Sequence, residues 1–201
     1  MRALKTLGIV VLVIVVALVV VGFLLPSEIH VDRSTVIEAP PCTVYTLVNG
    51  FQRFNDWSPW FGVAPAEYSY AGPTAGVGAR MQWTSDSPDV GSGSQEIIAS
   101  EPLTMVTTEL DFGQQGTATA VFRLEPVDGG TDVTWEFNTD VGANIISRYF
   151  GLFFDSMVGT DYEKGLARLK ELAENLPAVD FCSADLEIVD PWDGGHTQLL
   201  E

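Results

Sequence analysis

Between Tyr68 and Asp140 the chain alternates polar and apolar residues with a period of two, and Gly-rich turn signals interrupt the alternation at regular intervals. Met81 and Trp83 fall on one face of a strand, with Arg80, Gln82 and Thr84 on the other. Val106, Thr108, Leu110 and Phe112 alternate with Met105, Thr107, Glu109 and Asp111. Ala118, Ala120, Phe122 and Leu124 form a third such face, and Val133, Trp135 and Phe137 a fourth. Gln95 to Ser100 is a less regular run. The turns are Gly91-Ser92-Gly93, Gly113 to Gly116 and Asp128-Gly129-Gly130. Successive strand side chains point to opposite faces, so consecutive hairpins of this kind make an antiparallel sheet with one buried and one wet face.

The buried face needs a cover, and the C-terminal part of the domain supplies it. From about Asn144 to Asn175, the residues Ile146, Phe150, Phe153, Phe154, Met157, Val158, Tyr162, Leu166, Leu169, Leu172 and Ala173 recur at three- and four-residue intervals, which predicts one long helix closed by Pro177. Gly151, Gly159 and Gly165 each cost that helix roughly 1 kcal/mol relative to Ala, so their expected use is close approach to the sheet or to a ligand. Upstream, His30 to Glu38 reads as a strand that Ala39-Pro40-Pro41 breaks. Helical stretches follow at Cys42 to Val48 and Phe51 to Trp57, the second ended by Ser58-Pro59. The expected fold class is α+β: a curved antiparallel sheet wrapped around a long C-terminal helix, with two short helices after the first strand and a space between sheet and helix.

Ahead of this domain, Leu7 to Leu25 is an uncharged and almost wholly aliphatic run. As a helix it is about 28 Å long, close to the roughly 30 Å hydrocarbon core of a bilayer. Arg2 and Lys5 precede it, whereas Glu28 and Asp32 follow, so the positive-inside rule leaves the N-terminus cytoplasmic and the domain exported. The alternative is a cleaved secretory leader. That reading fits less well, because leader apolar regions run about 7–15 residues and end in a small-x-small site, which Val20-Val21-Gly22-Phe23-Leu24-Leu25 lacks. The expected organisation is therefore a cytoplasmic N-terminus over 1–6, a transmembrane helix over 7–25, one domain over 29–176 and an acidic tail over 177–201. The tail's Leu186-Glu187-Ile188-Val189 reads as an isolated strand, either within a mostly disordered tail or as the remnant of a second domain.

All 27 acidic residues lie after Pro26, against 8 of the 10 Lys and Arg, so the exported part carries about −19. A surface that negative repels nucleic acid and anionic headgroups, and no nucleic-acid partner is expected. Cys42 and Cys182 can pair outside the cytoplasm, but a single pair at this spacing is no disulfide framework.

The chain resembles the START/polyketide cyclase superfamily, also called SRPBCC, and in particular its polyketide cyclase/dehydrase-like branch. The resemblance rests on Val31-x-Arg33-Ser34-x-x-Ile37-x-Ala39-Pro40, Val44-x-x-Leu47-Val48 and Phe51 to Trp60, followed by Gly76-x-Gly78 before Met81-x-Trp83, and by Gly91-Ser92-Gly93. It continues through Gly130-Thr131-x-Val133-Thr134-Trp135, Met157-Val158-Gly159 and Asp161-Tyr162-Glu163-x-Gly165-Leu166-x-x-Leu169-Lys170, and covers about Ile29 to Leu176. It implies a helix-grip fold around a deep apolar cavity that takes lipids, polyketides or other hydrophobic small molecules.

The inward faces of the sheet and the long helix nominate the cavity wall: Trp57, Trp60, Met81, Trp83, Ile97, Thr108, Leu110, Phe122, Trp135, Phe137, Phe150, Phe154 and Met157. Any one of them is also an ordinary core residue by type. Ala118 and Ala120 are small residues on a face of large ones and leave room. A catalytic constellation is not readable. His30 and His196 fall outside the expected cavity, and Asp161 and Glu163 stand two apart on the helix, so they do not share a face. Two Cys and two His at these separations give no metal-ligand spacing, and Gly76-x-Gly78 and Gly91-x-Gly93 adjoin strands and read as turns. No cofactor is expected. The reading is a membrane-anchored module that binds a hydrophobic small molecule. A polyketide cyclase/dehydrase-type enzyme and a sensory or structural module with a closed cavity are the alternatives.

Overall fold

In the computed structural model, which describes residues 2–87 and 90–176, the chain opens with helix α1 (Arg2–Leu24). Its stretch Lys5–Leu24 has a mean hydropathy of 3.4 and is only 6% buried, so it is long and apolar enough to cross a membrane. A signal sequence near an N-terminus meets the same criterion. Strand β1 (Glu28–Ile37) begins four residues beyond the helix end. The tail from Pro177 lies outside the described residues, and with it Cys182, His196 and the Leu186 to Val189 run.

Among the described residues seven antiparallel strands make the sheet: β1, then β2 (Glu67–Ala71), β3 (Arg80–Thr84), β4 (Gly93–Glu101), β5 (Met105–Asp111), β6 (Thr117–Val127) and β7 (Gly130–Asp140). Their order is β1-β7-β6-β5-β4-β3-β2, so every pairing but one joins strands consecutive in sequence. The exception brings β1 beside β7, with Val31 opposite Phe137 and Arg33 opposite Trp135. The sheet is curved and grips a long C-terminal helix, the expected α+β helix-grip arrangement. Two features explain where the sequence pattern was weak. In β4 the register shifts between Ile97 and Ala99, and the bulge throws the Gln95 to Ser100 run out of strict alternation. Strand β2 sits at the sheet edge with most of its side chains exposed, which leaves it no apolar face to announce it.

Between β1 and β2 stand helices α2 (Pro41–Val48) and α3 (Phe54–Trp57). Pro41 occupies the first turn of α2, where its missing N–H costs nothing. The helix expected over Phe51 to Trp57 is a single turn, preceded by turn residues. Helix α4 (Ile145–Asn175) follows β7, and the Asn144 side chain caps it by accepting from Ser147 N at 3.2 Å. The glycines of α4 do face the sheet. A Cβ at Gly151 would stand 3.1 Å from Ile29, one at Gly165 would stand 2.7 Å from the Trp135 ring, and one at Gly159 would collide with the Arg33 guanidinium.

Candidate functional site

The two ends of the grip are filled differently. Around the second half of α4, Trp57, Phe122, Trp135 and Tyr162 form a continuous aromatic block. Trp135 stacks on Tyr162 at 3.8 Å between centroids and on Phe122 at 4.9 Å, while Trp57 stands edge-on to Trp135 and Phe122 at 5.5 and 5.7 Å. Offset stacking and edge-to-face contact are the favoured aromatic geometries, so this block is bound by more than its area. Leu166, Leu169 and Ala173 continue the buried face of α4.

Towards the first half of α4 the two layers part and enclose a cavity of about 510 Å3. Met81 and Trp83 of β3, Leu110 of β5 and Phe137 of β7 supply its sheet wall. Phe150, Phe154, Val158 and Tyr162 supply its helix wall, and Phe54 and Trp60 close one side. Arg33, on the inward face of β1, reaches α4 at Gly159 and donates from Nε to Glu163 at 2.8 Å and from Nη1 to Asp155 at 2.9 Å. These bonds tie the middle of α4 to β1, at the edge of the sheet away from β3. The Asp155 and Glu163 carboxylates raise the Arg33 pKa further, and the guanidinium holds Asp155 below the usual carboxylate range.

Seven residues nominated from sequence stand in the wall: Trp60, Met81, Trp83, Leu110, Phe137, Phe150 and Phe154. Six do not. Trp57, Phe122 and Trp135 are consumed by the aromatic block, and Ile97 and Thr108 are buried in the sheet's packed core. Met157 projects outward. The inward phase of a strand is legible in sequence, whereas the point along it where the helix leaves the sheet is not. Ala118 and Ala120 are buried without contributing to the wall.

The sequence reading nominated none of the ten wall residues with polar side chains, and three of these, Ser58, Gln95 and Tyr162, are buried. Gln95 is 6% exposed, and among the described residues its amide nitrogen meets only the Met81 sulfur, at 4.0 Å. Tyr162 is 2% exposed, burial pushes its hydroxyl pKa far up, and it makes no hydrogen bond among the described residues. Its place in the helical repeat marked Tyr162 as inward. Gln95 shares the inward face of β4 with Ile97, but its amide does not read as an apolar wall residue. Among the described residues the wall holds no carboxylate, histidine, lysine, arginine or cysteine. Glu163 pairs with Arg33 and Asp161 with Lys164 at 2.9 Å, both away from the cavity.

Residues 28–174 match the family model described as polyketide cyclase/dehydrase and lipid transport. The chain belongs to that family. Its description couples cyclase and dehydrase chemistry with lipid transport, which accords with an apolar cavity built for a hydrophobic ligand. Solved structures share the fold at low identity. Protein CV1439 of Chromobacterium violaceum superposes with a TM-score of 0.54 at 16% identity, over 73% of this chain and 98% of its own. The Aha1 dimer of Colwellia psychrerythraea gives 0.53 at 16% identity, over 73% and 97%. The di-domain ARO/CYC StfQ of the steffimycin biosynthetic pathway gives 0.55 at 11% identity, over 73% of this chain and 51% of its own. No curated protein matches the chain.

Proposed function

We propose that this protein is a membrane-anchored binding module that holds a hydrophobic small molecule, a lipid, polyketide or similar compound, in the cavity between sheet and α4, without transforming it. In this reading residues 1–6 are cytoplasmic, 7–25 span the bilayer, and the domain over 29–176 and the tail stand outside. The observation that carries it is the composition of the cavity. At about 510 Å3 it falls within the range of small-molecule sites, its largest side chains are Trp, Phe, Met and Leu, and among the described residues its polar groups are hydroxyls and amides with no carboxylate, histidine, lysine or arginine. Gln95 and Tyr162 supply hydrogen bonds that fix the orientation of a ligand with one polar end. A Tyr held protonated by burial is a donor and a poor base, which favours binding over proton abstraction.

Native mass spectrometry of the full chain after mild detergent extraction tests this. The expected result is a copurified apolar molecule, lost in the cavity-filling variant Leu110→Trp. Consistently empty wild-type protein, or equal retention by Leu110→Trp, overturns it.

A further inference from the structure

We propose that the first half of α4 is embedded in the interfacial layer of the same bilayer that α1 crosses, so that the cavity opens onto lipid instead of water. This deepens the anchored reading above and rests on it. The contact between the two helices comes first. Gly22 is buried, and any Cβ there would collide with Ile145 and meet the Tyr149 ring at 3.0 Å, so α4 crosses α1 where α1 has a notch. Arg148 donates from Nη1 to the carbonyls of Phe23 and Leu25, at 2.9 Å each, which satisfies acceptors that the end of α1 leaves open. The Tyr149 hydroxyl donates to Leu18 O at 2.7 Å, six residues before the end of α1. At 1.5 Å per residue that carbonyl lies about 9 Å below the helix end. Where α1 is in the bilayer, the first turns of α4 are therefore level with its outer layer.

The outward surface of these turns suits that position. Ile146, Phe150, Phe153 and Met157 follow one another at helical spacing and are 63–70% exposed. Between Asn144 and Gly159 the only charged residues are Arg148, spent on the α1 carbonyls, and Asp155, spent on Arg33. The stripe continues the exposed apolar surface of α1, and one occupant covers both: the lipid leaflet. The net negative charge of the exported part selects a zwitterionic over an anionic surface.

The cavity ends at this junction. Ile29, Val141, Ser147 and Phe150 are wall residues, and Val141 N bonds Ser27 O at 2.9 Å, beside the exit of α1. An apolar molecule passing Phe150 from the leaflet reaches the cavity without crossing water, which spares it the cost of hydrating its apolar surface.

Environment-sensitive nitrobenzoxadiazole labels on single introduced cysteines of the full chain test the proposal. They are placed at Leu12→Cys, Phe153→Cys and Glu171→Cys in phosphatidylcholine vesicles, and the unsubstituted chain carried through labelling serves as blank. Interfacial helices lie roughly 5–10 Å into the headgroup and acyl boundary, so lipids with a nitroxide high on the acyl chain should quench the label at 153 about twofold and leave that at 171 unquenched. Quenching at 12 by deep nitroxides but none at 153 overturns the proposal and leaves the anchor standing. No quenching at 12 overturns the anchored reading itself. A blue-shifted but unquenched label at 153 assigns the stripe to a protein partner or a second copy and overturns the proposal, as does equal quenching at 153 and 171.

Discussion

The two halves of α4 belong to one unbroken helix and do opposite work. From Thr160 to Asn175 it carries seven charged residues, on the outside of a face whose Tyr162, Leu166, Leu169 and Ala173 are buried. From Ile145 to Gly159 it carries two charged residues, and its large side chains are left exposed or line a cavity. The second half is an amphipathic helix in water. The first is apolar nearly all round, as a helix is when more than one side of it meets something other than water. In this domain the fully buried side chains of α4 are concentrated in its second half.

Substitutions can break this division, and the largest effect belongs to the filled end. Trp57→Ala should cost about 3–5 kcal/mol, since it removes a fully buried ring from the aromatic block, while Phe153→Ser should stay within about 0.5 kcal/mol. Urea unfolding followed by circular dichroism measures both; comparable losses would erase the distinction between the halves.

The glycines test the same contrast with one methyl group. Gly165→Ala should cost about 1–3 kcal/mol, because the new Cβ meets the Trp135 ring at 2.7 Å and Pro59 at 3.1 Å in a packed region. Gly151→Ala meets only the end of the Ile29 side chain at 3.1 Å, so the helix-propensity gain of up to about 1 kcal/mol should survive in part. Thermal melts showing the same sign for both variants would contradict this account.

Filling the cavity should matter less to the fold than filling the core. Leu110→Trp enlarges a wall residue beside open space, so its unfolding midpoint should lie closer to wild type than that of Thr131→Val. Thr131 is fully buried and donates from its hydroxyl to Ala39 O at 2.7 Å, and breaking that bond strands the carbonyl at a cost of about 1–3 kcal/mol. The reverse order in chemical denaturation would mean that the space is closed in solution.

The smallest effect is on acid stability. Asp155 is held below its ordinary value of 3.8 by Arg33, and Glu174 below 4.5 by the Glu38 backbone N–H. A depressed carboxylate pKa stabilises the folded state fully above the ordinary value, and that contribution is lost as pH falls through the lower folded value. The unfolding midpoint should therefore drop below pH about 4, and Asp155→Asn and Glu174→Gln should each blunt the drop. Both groups are exposed, so the changes will be small, and added salt should diminish the Asp155 part first. An unaltered acid profile in both variants would show that neither bond contributes.

Much of the fold was legible because it depends on local periodicity. The inward phases of β3, β5, β6 and β7 and the repeat along α4 are visible residue by residue. Strand β2 and the β4 bulge were hidden for the same reason: an exposed edge has no alternation of burial, and an extra residue destroys it. The cavity was half legible. Met81, Trp83, Leu110 and Phe137 share an inward phase with Ile97, Thr108, Phe122 and Trp135, and nothing in that phase tells wall from core. Gln95 lies on the same inward face as Ile97 and was passed over because an amide side chain interrupts the apolar alternation.

The sequence by itself determined that an apolar helix precedes an antiparallel sheet and a long helix that cover each other, since side-chain periodicity dictates which faces must leave water. The tertiary structure decided where sheet and helix separate. There Arg33 of β1 meets Asp155 and Glu163 beside Gly159 and Trp135 stacks on Tyr162, and such contacts between separate elements leave no periodic trace in the sequence. It also decided that α1 and α4 meet at Gly22, a residue whose only mark in the sequence is a missing side chain in an aliphatic run.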